Sequence, residues 1–315
     1  MNLFKSMYSA VLPFAFALSI SNSVFASALP DAQASYSMNV GKFKVVALYD
    51  GYLPADMVKI LEGGDGARIS TLLEQAGLNK DARMSVNVYL VDTGDKQILI
   101  DTGGGELTGS TAGRLQESMK AAGYNADQID VVLMTHLHAD HIGGLLNGQQ
   151  RAFKNAVVEV NDNELNYWMS DPSIALGKED KPEAFSAVKR YLKPYQEAGR
   201  VKTFKWSDKL LAGIEAIDLR GHTPGHTGFK VSEGGDQLLF WGDVIHVQPV
   251  QFPEPQVTVI YDSTPSQAIS TRKAALEDAS TSTDRYWVAD AHIDFPGIGK
   301  VEKKGEDYLW HPVQK

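Results

Sequence analysis

Cysteine is absent from all 315 residues. That excludes disulfide staples, thiol nucleophiles, thiolate metal sites and lipid-modified cysteine, so any metal ion must be held by His, Asp or Glu. Positive charge is scarce too: 30 Lys and Arg stand against 39 acids, a net charge of −9. Nucleic-acid binding draws most of its affinity from Lys and Arg neutralising phosphates, so no polynucleotide partner is expected. Apart from one stretch near the amino terminus, long apolar runs are missing. What is present, 43% hydrophobic and 22% charged residues, is the balance of an ordinary globular protein with enough length to bury a core.

The first thirty residues differ from the rest. Lys5 is the only charge before Asp31, and Tyr8 to Ile20 is apolar except for Ser9 and Ser19, ahead of Ser21-Asn22-Ser23 and Ala26-Ser27-Ala28. This pattern predicts a secretory signal peptide over residues 1–28 with an A-x-A cleavage site. The run is too short to cross a hydrocarbon core of ~30 Å, which takes about 20 helical residues. Residues 29–315 are then expected to form a single exported domain, periplasmic or extracellular, with no membrane attachment once cleaved.

Strand-like and helix-like segments alternate along that domain without repeats. Strands are predicted over Lys42 to Tyr49, Asn87 to Val91, Gln97 to Ile100, Val131 to Met134, Ala156 to Val160, Ile214 to Leu219, Gln237 to Trp241 and Tyr286 to Ala289. Helices are predicted over Thr111 to Ala122, Asp162 to Met169, Glu183 to Leu192 and Ser266 to Leu276. Both halves carry strands and helices, which implies a layered α/β domain.

The chemistry concentrates at Thr135-His136-Leu137-His138-Ala139-Asp140-His141, where three of the eight histidines fall together. Residues two apart on an extended chain project to the same side, so His136 and His138 can converge on one metal ion, while Asp140 and His141 suit a second beside it. Gly143-Gly144 is expected to let the backbone turn tightly behind the site. Three more clusters follow predicted strands: Gly221-His222-Thr223-Pro224-Gly225-His226-Thr227, Trp241-Gly242-Asp243 and Ala289-Asp290-Ala291-His292. Strand carboxyl ends are where open α/β sheets place ligand sites.

These motifs, with Asp101-Thr102-Gly103, resemble the metal-binding motifs of the metallo-β-lactamase superfamily. Gly221 to Thr227, Ala291 to Gly299, Ala121 to Tyr124 and Tyr89 to Gly94 are similar to segments of methyl parathion hydrolase and its secreted relatives. The resemblance implies a four-layered αββα sandwich. It also implies two divalent metal ions per chain, Zn²⁺ ahead of Mn, Fe or Co. His136, His138 and His226 would bind one ion, Asp140, His141 and His292 the other, and Asp243 would bridge them. The implied activity is hydrolysis of a small ester-like substrate, a phosphotriester, aryl ester or lactone, by hydroxide held between the ions. A quorum-signal lactonase is the main enzymatic alternative, and a non-catalytic metal-binding module the alternative from another class. A homodimer is open.

Asp101 either orients a ligand histidine or is a turn carboxylate. His222 is read as a turn or supporting residue, and His311 is assigned no role. Trp168 and Phe185 align with aromatics of the substrate pocket in methyl parathion hydrolase, but core packing is the favoured role for each, since aromatics dominate cores. His246, three residues after Asp243, stands where that enzyme has leucine and the lactonases of the superfamily have tyrosine. It is expected either to assist the leaving group, as a catalytic residue beside Asp140 and Asp243, or to lie turned away from the site.

Overall fold

The computed structural model describes residues 34–78, 82–206 and 208–314; the predicted signal peptide lies outside them. Among the described residues two seven-stranded sheets face each other, and in each the strands lie side by side in chain order. The first holds β1 (Ser35–Val40), β2 (Phe43–Ala55), β3 (Ala82–Asp92), β4 (Gln97–Ile100), β5 (Val131–Leu133), β6 (Val157–Asn161) and β7 (Val201–Phe204). The second holds β8 (Lys209–Leu211), β9 (Ile214–Asp218), β10 (Thr227–Glu233), β11 (Asp236–Phe240), β12 (Tyr286–Ala289), β13 (Ile298–Lys304) and β14 (Asp307–Pro312). The pairs β4–β5, β5–β6, β6–β7 and β11–β12 are parallel and the other pairs antiparallel.

Four longer helices, α2 (Leu115–Ala121), α3 (Asp162–Met169), α4 (Pro182–Glu197) and α5 (Pro265–Thr281), cover the outer faces, while α1 (Gly66–Gln75) packs in a separate cluster with Met57, Met84, Val247 and Val250. Val45, Val91, Ile100, Phe229, Phe240 and Phe295 fill the space between the sheets. Val88, Leu99 and Val132 pack outward against Met119, Trp168, Phe185 and Leu192 of α2, α3 and α4. Leu239, Val288 and Val301 pack against Ala275, Leu276 and Ala279 of α5. Four layers, α-β-β-α, result. A strand covered on both faces must be apolar throughout rather than alternating, which is why β3 and β5 are buried almost end to end.

Helix boundaries follow local chemistry. Pro182 and Pro265 occupy the first turns of α4 and α5, where a missing N–H costs nothing. The Asn161 side chain caps α3 by accepting from the N–H of Asn163. The helix expected from Thr111 begins only at Leu115. Gly113, at φ 87°, breaks the helical path, and the buried Asp50 carboxylate takes the N–H groups of Gly104, Gly113 and Leu115. Unpredicted elements include β1, α1, β10, β13 and β14. No helix among the described residues is long and apolar enough to cross a membrane.

Candidate metal centre

Every chemistry-bearing cluster leaves the carboxyl end of a strand, and the two sheets bring those ends together. Asp101 follows β4, His136 to His141 follow β5, His222 to His226 link β9 and β10, Asp243 follows β11, and His292 follows β12. His136 Nε2 lies 3.1 Å from His138 Nδ1, which is 3.0 Å from His222 Nε2, and that nitrogen is 3.3 Å from Asp243 Oδ2. On the other side of Asp243, its Oδ1 is 3.1 Å from His141 Nε2 and its Oδ2 is 3.0 Å from His292 Nε2; Asp140 Oδ2 is 3.5 Å from both imidazoles. Ligand atoms of a tetrahedral zinc site, with bonds near 2.0–2.1 Å, stand about 3.3 Å apart. Among the described residues three overlapping groups have the spacing to hold a cation: His136, His138, His222 and Asp243; Asp140, His141 and His292; and Asp243, His246 and His292, with Asp243 reaching both sides.

The donors fit divalent cations by a second test. His141 Nε2 and Asp243 Oδ1 are buried and lack a hydrogen-bond partner, which is costly for polar atoms unless something else satisfies them. The carboxylates also raise the basicity of the neighbouring imidazoles. Burial alone would hold the imidazoles neutral, but Asp243 and Asp262 keep His222 at about 9, and Asp243 and Asp140 keep His292 at about 9. Burial likewise opposes ionisation of Asp243, yet the surrounding His141, His292 and His136 hold its carboxyl well below the usual range.

Outer partners fix how the rings face. Asp101 Oδ2 lies 2.9 Å from His141 Nδ1 and also accepts from the Thr135 hydroxyl, while its Oδ1 takes the Thr135 N–H. It is the orienting carboxylate and not a mere turn residue. Its backbone sits at φ 63°, a strained conformation for a non-glycine residue. Asp262 does the same for His222 Nδ1 at 2.9 Å, and the Ser85 carbonyl for His292 Nδ1 at 2.9 Å. Asp180 places Oδ1 3.8 Å from His138 Nε2 and is held by Tyr167, Ser263 and the Gly177 N–H.

Two expectations need correction, those for His226 and His222. His226 does not join the cluster: its Nδ1 meets the Leu219 carbonyl at 2.8 Å and its Nε2 accepts the N–H of Asp243 at 3.0 Å. Both ring nitrogens are occupied, and burial keeps this histidine neutral, at about 3. His222 takes the place assigned to it. Trp168 and Phe185 are both 0% exposed and pack into the core behind His138, with the Trp168 indole donating to Glu164. Gly143-Gly144 opens a 3-10 turn over Gly143–Leu145, as expected, and its glycines also permit close approach. Gly143 has ordinary helical angles, but a Cβ on it would come 1.8 Å from the Gly104 carbonyl oxygen, and one on Gly144 2.0 Å from that of Thr102.

His246 faces the cluster. Its Nε2 is 3.1 Å from Asp243 Oδ2, its ring stacks on His292 at 5.1 Å between centroids, and Nδ1 is buried without a partner. Burial brings it down to about 4 against the pull of Asp243, so the imidazole is neutral. His246 and His292 also line a cavity of about 890 Å³, together with Met57, Leu72, Leu78, Ile293, Phe295 and Trp310 and the charged Arg83. Sequence reasoning missed these walls, and also Asp180, Asp262 and Glu164. His311, exposed and paired with Glu302, is remote from the cluster in its contacts.

The sequence profile of the Metallo-beta-lactamase superfamily matches residues 82–286, from β3 into β12. Among solved structures, one described as hydrolase AbOPH in the beta lactamase superfamily is 31% identical, with a TM-score of 0.84, 90% of this chain and 98% of that one covered. AidC, described as a dizinc quorum-quenching lactonase in complex with its product, is 25% identical with a TM-score of 0.83 over the same shares. Curated relatives include an atrochrysone carboxyl ACP thioesterase of Passalora fulva, 26% identical over 68% of this chain and 55% of that enzyme. An N-acyl homoserine lactonase of Bacillus thuringiensis is 26% identical over 48% of this chain and 60% of its own length. The chain thus spans little more than half the length of these curated relatives. With the profile covering well over half of the sequence and the site motifs on its strand ends, the chain belongs to the metallo-beta-lactamase superfamily.

Proposed function

We propose that this chain is an exported binuclear hydrolase of ester-like substrates that carry an apolar arm, lactones foremost. The observation that carries this reading is the Asp243-centred cluster opening, through His246 and His292, onto an apolar cavity. The sequence likeness to AidC and to the Bacillus lactonase supports it.

Two divalent cations in this centre, Zn²⁺ by donor type, would acidify water to near neutrality and polarise the oxygen of the attacked group. The chain's own residues do the rest. His136, His138 and His222 would hold one ion, Asp140, His141 and His292 the other, and Asp243 both. Asp101, Asp262 and the Ser85 carbonyl hold a proton on the outward ring nitrogens of His141, His222 and His292, so the inward nitrogens keep their lone pairs. His246, neutral and beside Asp243, donates an N–H hydrogen bond to the ester or alkoxide oxygen of the substrate. Leu72, Leu78 and Phe295 receive the apolar arm and exclude water around it.

A hydrolysis panel on metal-loaded protein tests this: an N-acyl lactone, an aryl ester, a phosphotriester and a β-lactam. Chelator-sensitive lactone and aryl-ester turnover is expected, rising with acyl length. Preference for the phosphotriester would place the activity nearer methyl parathion hydrolase. Inactivity on all four would favour a metal-binding module.

A further inference from the structure

We propose that Glu164 is a positioning residue for the His136, His138 and His222 half of the centre, its carboxylate tying the loop that bears the first two histidines to the turn that bears the third. This rests on reading the cluster as a binuclear metal site.

Glu164 lies on α3 and is 0% exposed. Its Oε1 accepts the N–H of Leu137, the residue between His136 and His138, at 3.0 Å, and the Trp168 indole N–H at 2.7 Å. Its Oε2 accepts the Thr223 hydroxyl at 2.7 Å and the Gly225 N–H at 2.9 Å, both in the turn that follows His222. Four donors thus converge on one carboxylate, two on each oxygen. Burying a carboxylate costs several kcal/mol unless its oxygens are satisfied, and here three of the four donors come from ligand-bearing loops and the fourth from Trp168 on the same helix, none of them a cation.

The turn is seated on the helix as well as bonded to it. A Cβ on Gly225 would come 2.3 Å from the Glu164 backbone nitrogen, so only glycine lets the turn approach this closely. Trp168, which donates to Glu164, stands edge-on to His138 with ring centroids 5.6 Å apart, so the same side chains back the imidazole. The other half of the centre has separate supports, Asp101 for His141 and the Ser85 carbonyl for His292. Loss of the Glu164 clamp should therefore act on one ion and spare the other.

The test strips the purified protein with a chelator and titrates it with Zn²⁺ against a chromogenic competitor, while the unfolding midpoint of the metal-free form is followed in parallel. Glu164→Gln turns one acceptor into an amide that faces two donors in either orientation. It should hold one ion as tightly as wild type and the other about 10–100-fold more weakly, the size of effect typical of outer partners of metal ligands. Adding Asp140→Asn should then weaken the ion that stayed tight. Gly225→Ala, which keeps the carboxylate but pushes the turn off the helix, should give the same one-sided loss, and decides the matter if Glu164→Gln does not fold. Equal weakening of both ions, or a lower unfolding midpoint with both affinities intact, would overturn the proposal. A wild-type protein that takes up fewer than two ions would instead overturn the binuclear reading on which it rests.

Discussion

His222 and His226 stand four residues apart in one turn and have opposite fates. His222 points its Nε2 at Asp243 Oδ2, while His226 spends both nitrogens on backbone groups. Removing His222 should therefore strip one ion and hydrolysis with it. His226→Ala should keep two ions but lose about 1–3 kcal/mol of stability, because the Leu219 carbonyl and Asp243 N–H are left unpaired. Denaturant titration beside elemental analysis separates the two. Spacing alone cannot say which histidine turns inward, since that depends on the path of a turn whose Gly221 sits at φ 133°. The paired ligands His136 and His138 were legible because an extended chain alternates sides. Asp101 was half legible, its position after a strand being visible but not its left-handed backbone. Trp168 and Phe185 fill the core, the role that the abundance of aromatics in cores favoured over a place in the substrate pocket. For His246, now placed beside Asp243 and neutral, loss of its hydrogen bond in His246→Leu should depress lactone turnover by about 10-fold and spare phosphotriesters with a nitrophenolate leaving group. Equal loss on both substrates, or none, would remove it from the mechanism.

At the scale of elements, the site is held by loops that other elements brace. Arg272, on α5 and fully buried, donates to the carbonyls of Val244, Pro255 and Val257 and lies 3.5 Å from the Asp262 that orients His222. It braces both the segment after Asp243 and the partner of a ligand histidine. Arg272→Met should destabilise the fold by about 3–5 kcal/mol, because it leaves Asp262 buried beside three carbonyls without their donor. Thermal or denaturant unfolding measures this, and a change within experimental error would show that α5 packs without the cation. The sequence announced α3 and most of α5 as helices, yet nothing in it linked Arg272 to Asp262, a contact that only the docking of α5 creates. The late start of α2 was hidden for the same reason: the Asp50 carboxylate that takes the Gly113 and Leu115 N–H groups arrives from β2. Elements thus declare themselves locally, and their braces do not.

For the whole molecule, two sheets with strands in chain order place all ligand-bearing strand ends on one edge, and the sequence showed this insofar as each motif followed an apolar run. The pairing of the sheets across Asp243 was not visible, because β10, β13 and β14 had no strong local signature. Export is an expectation of composition: produced in a bacterium with intact secretion, the protein should be recovered outside the cytoplasm beginning at Leu29, or at Ser27, by amino-terminal sequencing. Recovery of intact Met1 from the cytoplasm would contradict it. Cation uptake should displace protons from the cluster, since His222 and His292 sit at about 9 when no metal is bound. Both values lie above the ordinary histidine range, so at neutral pH the metal-free rings are charged and compete with the cation. Apparent affinity should rise between pH 7 and 9, and calorimetry in buffers of different ionisation heat should register the released protons.

The central claim, a binuclear centre bridged by Asp243, is met most directly by metal content measured on the purified protein together with its Asp243→Ala variant. The account predicts close to two ions per wild-type chain, hydrolysis abolished by chelation and restored by added Zn²⁺, and a variant that lacks both activity and one or both ions. A single tightly bound ion with full activity, or an Asp243→Ala protein that keeps two ions and still hydrolyses its substrate, would contradict it.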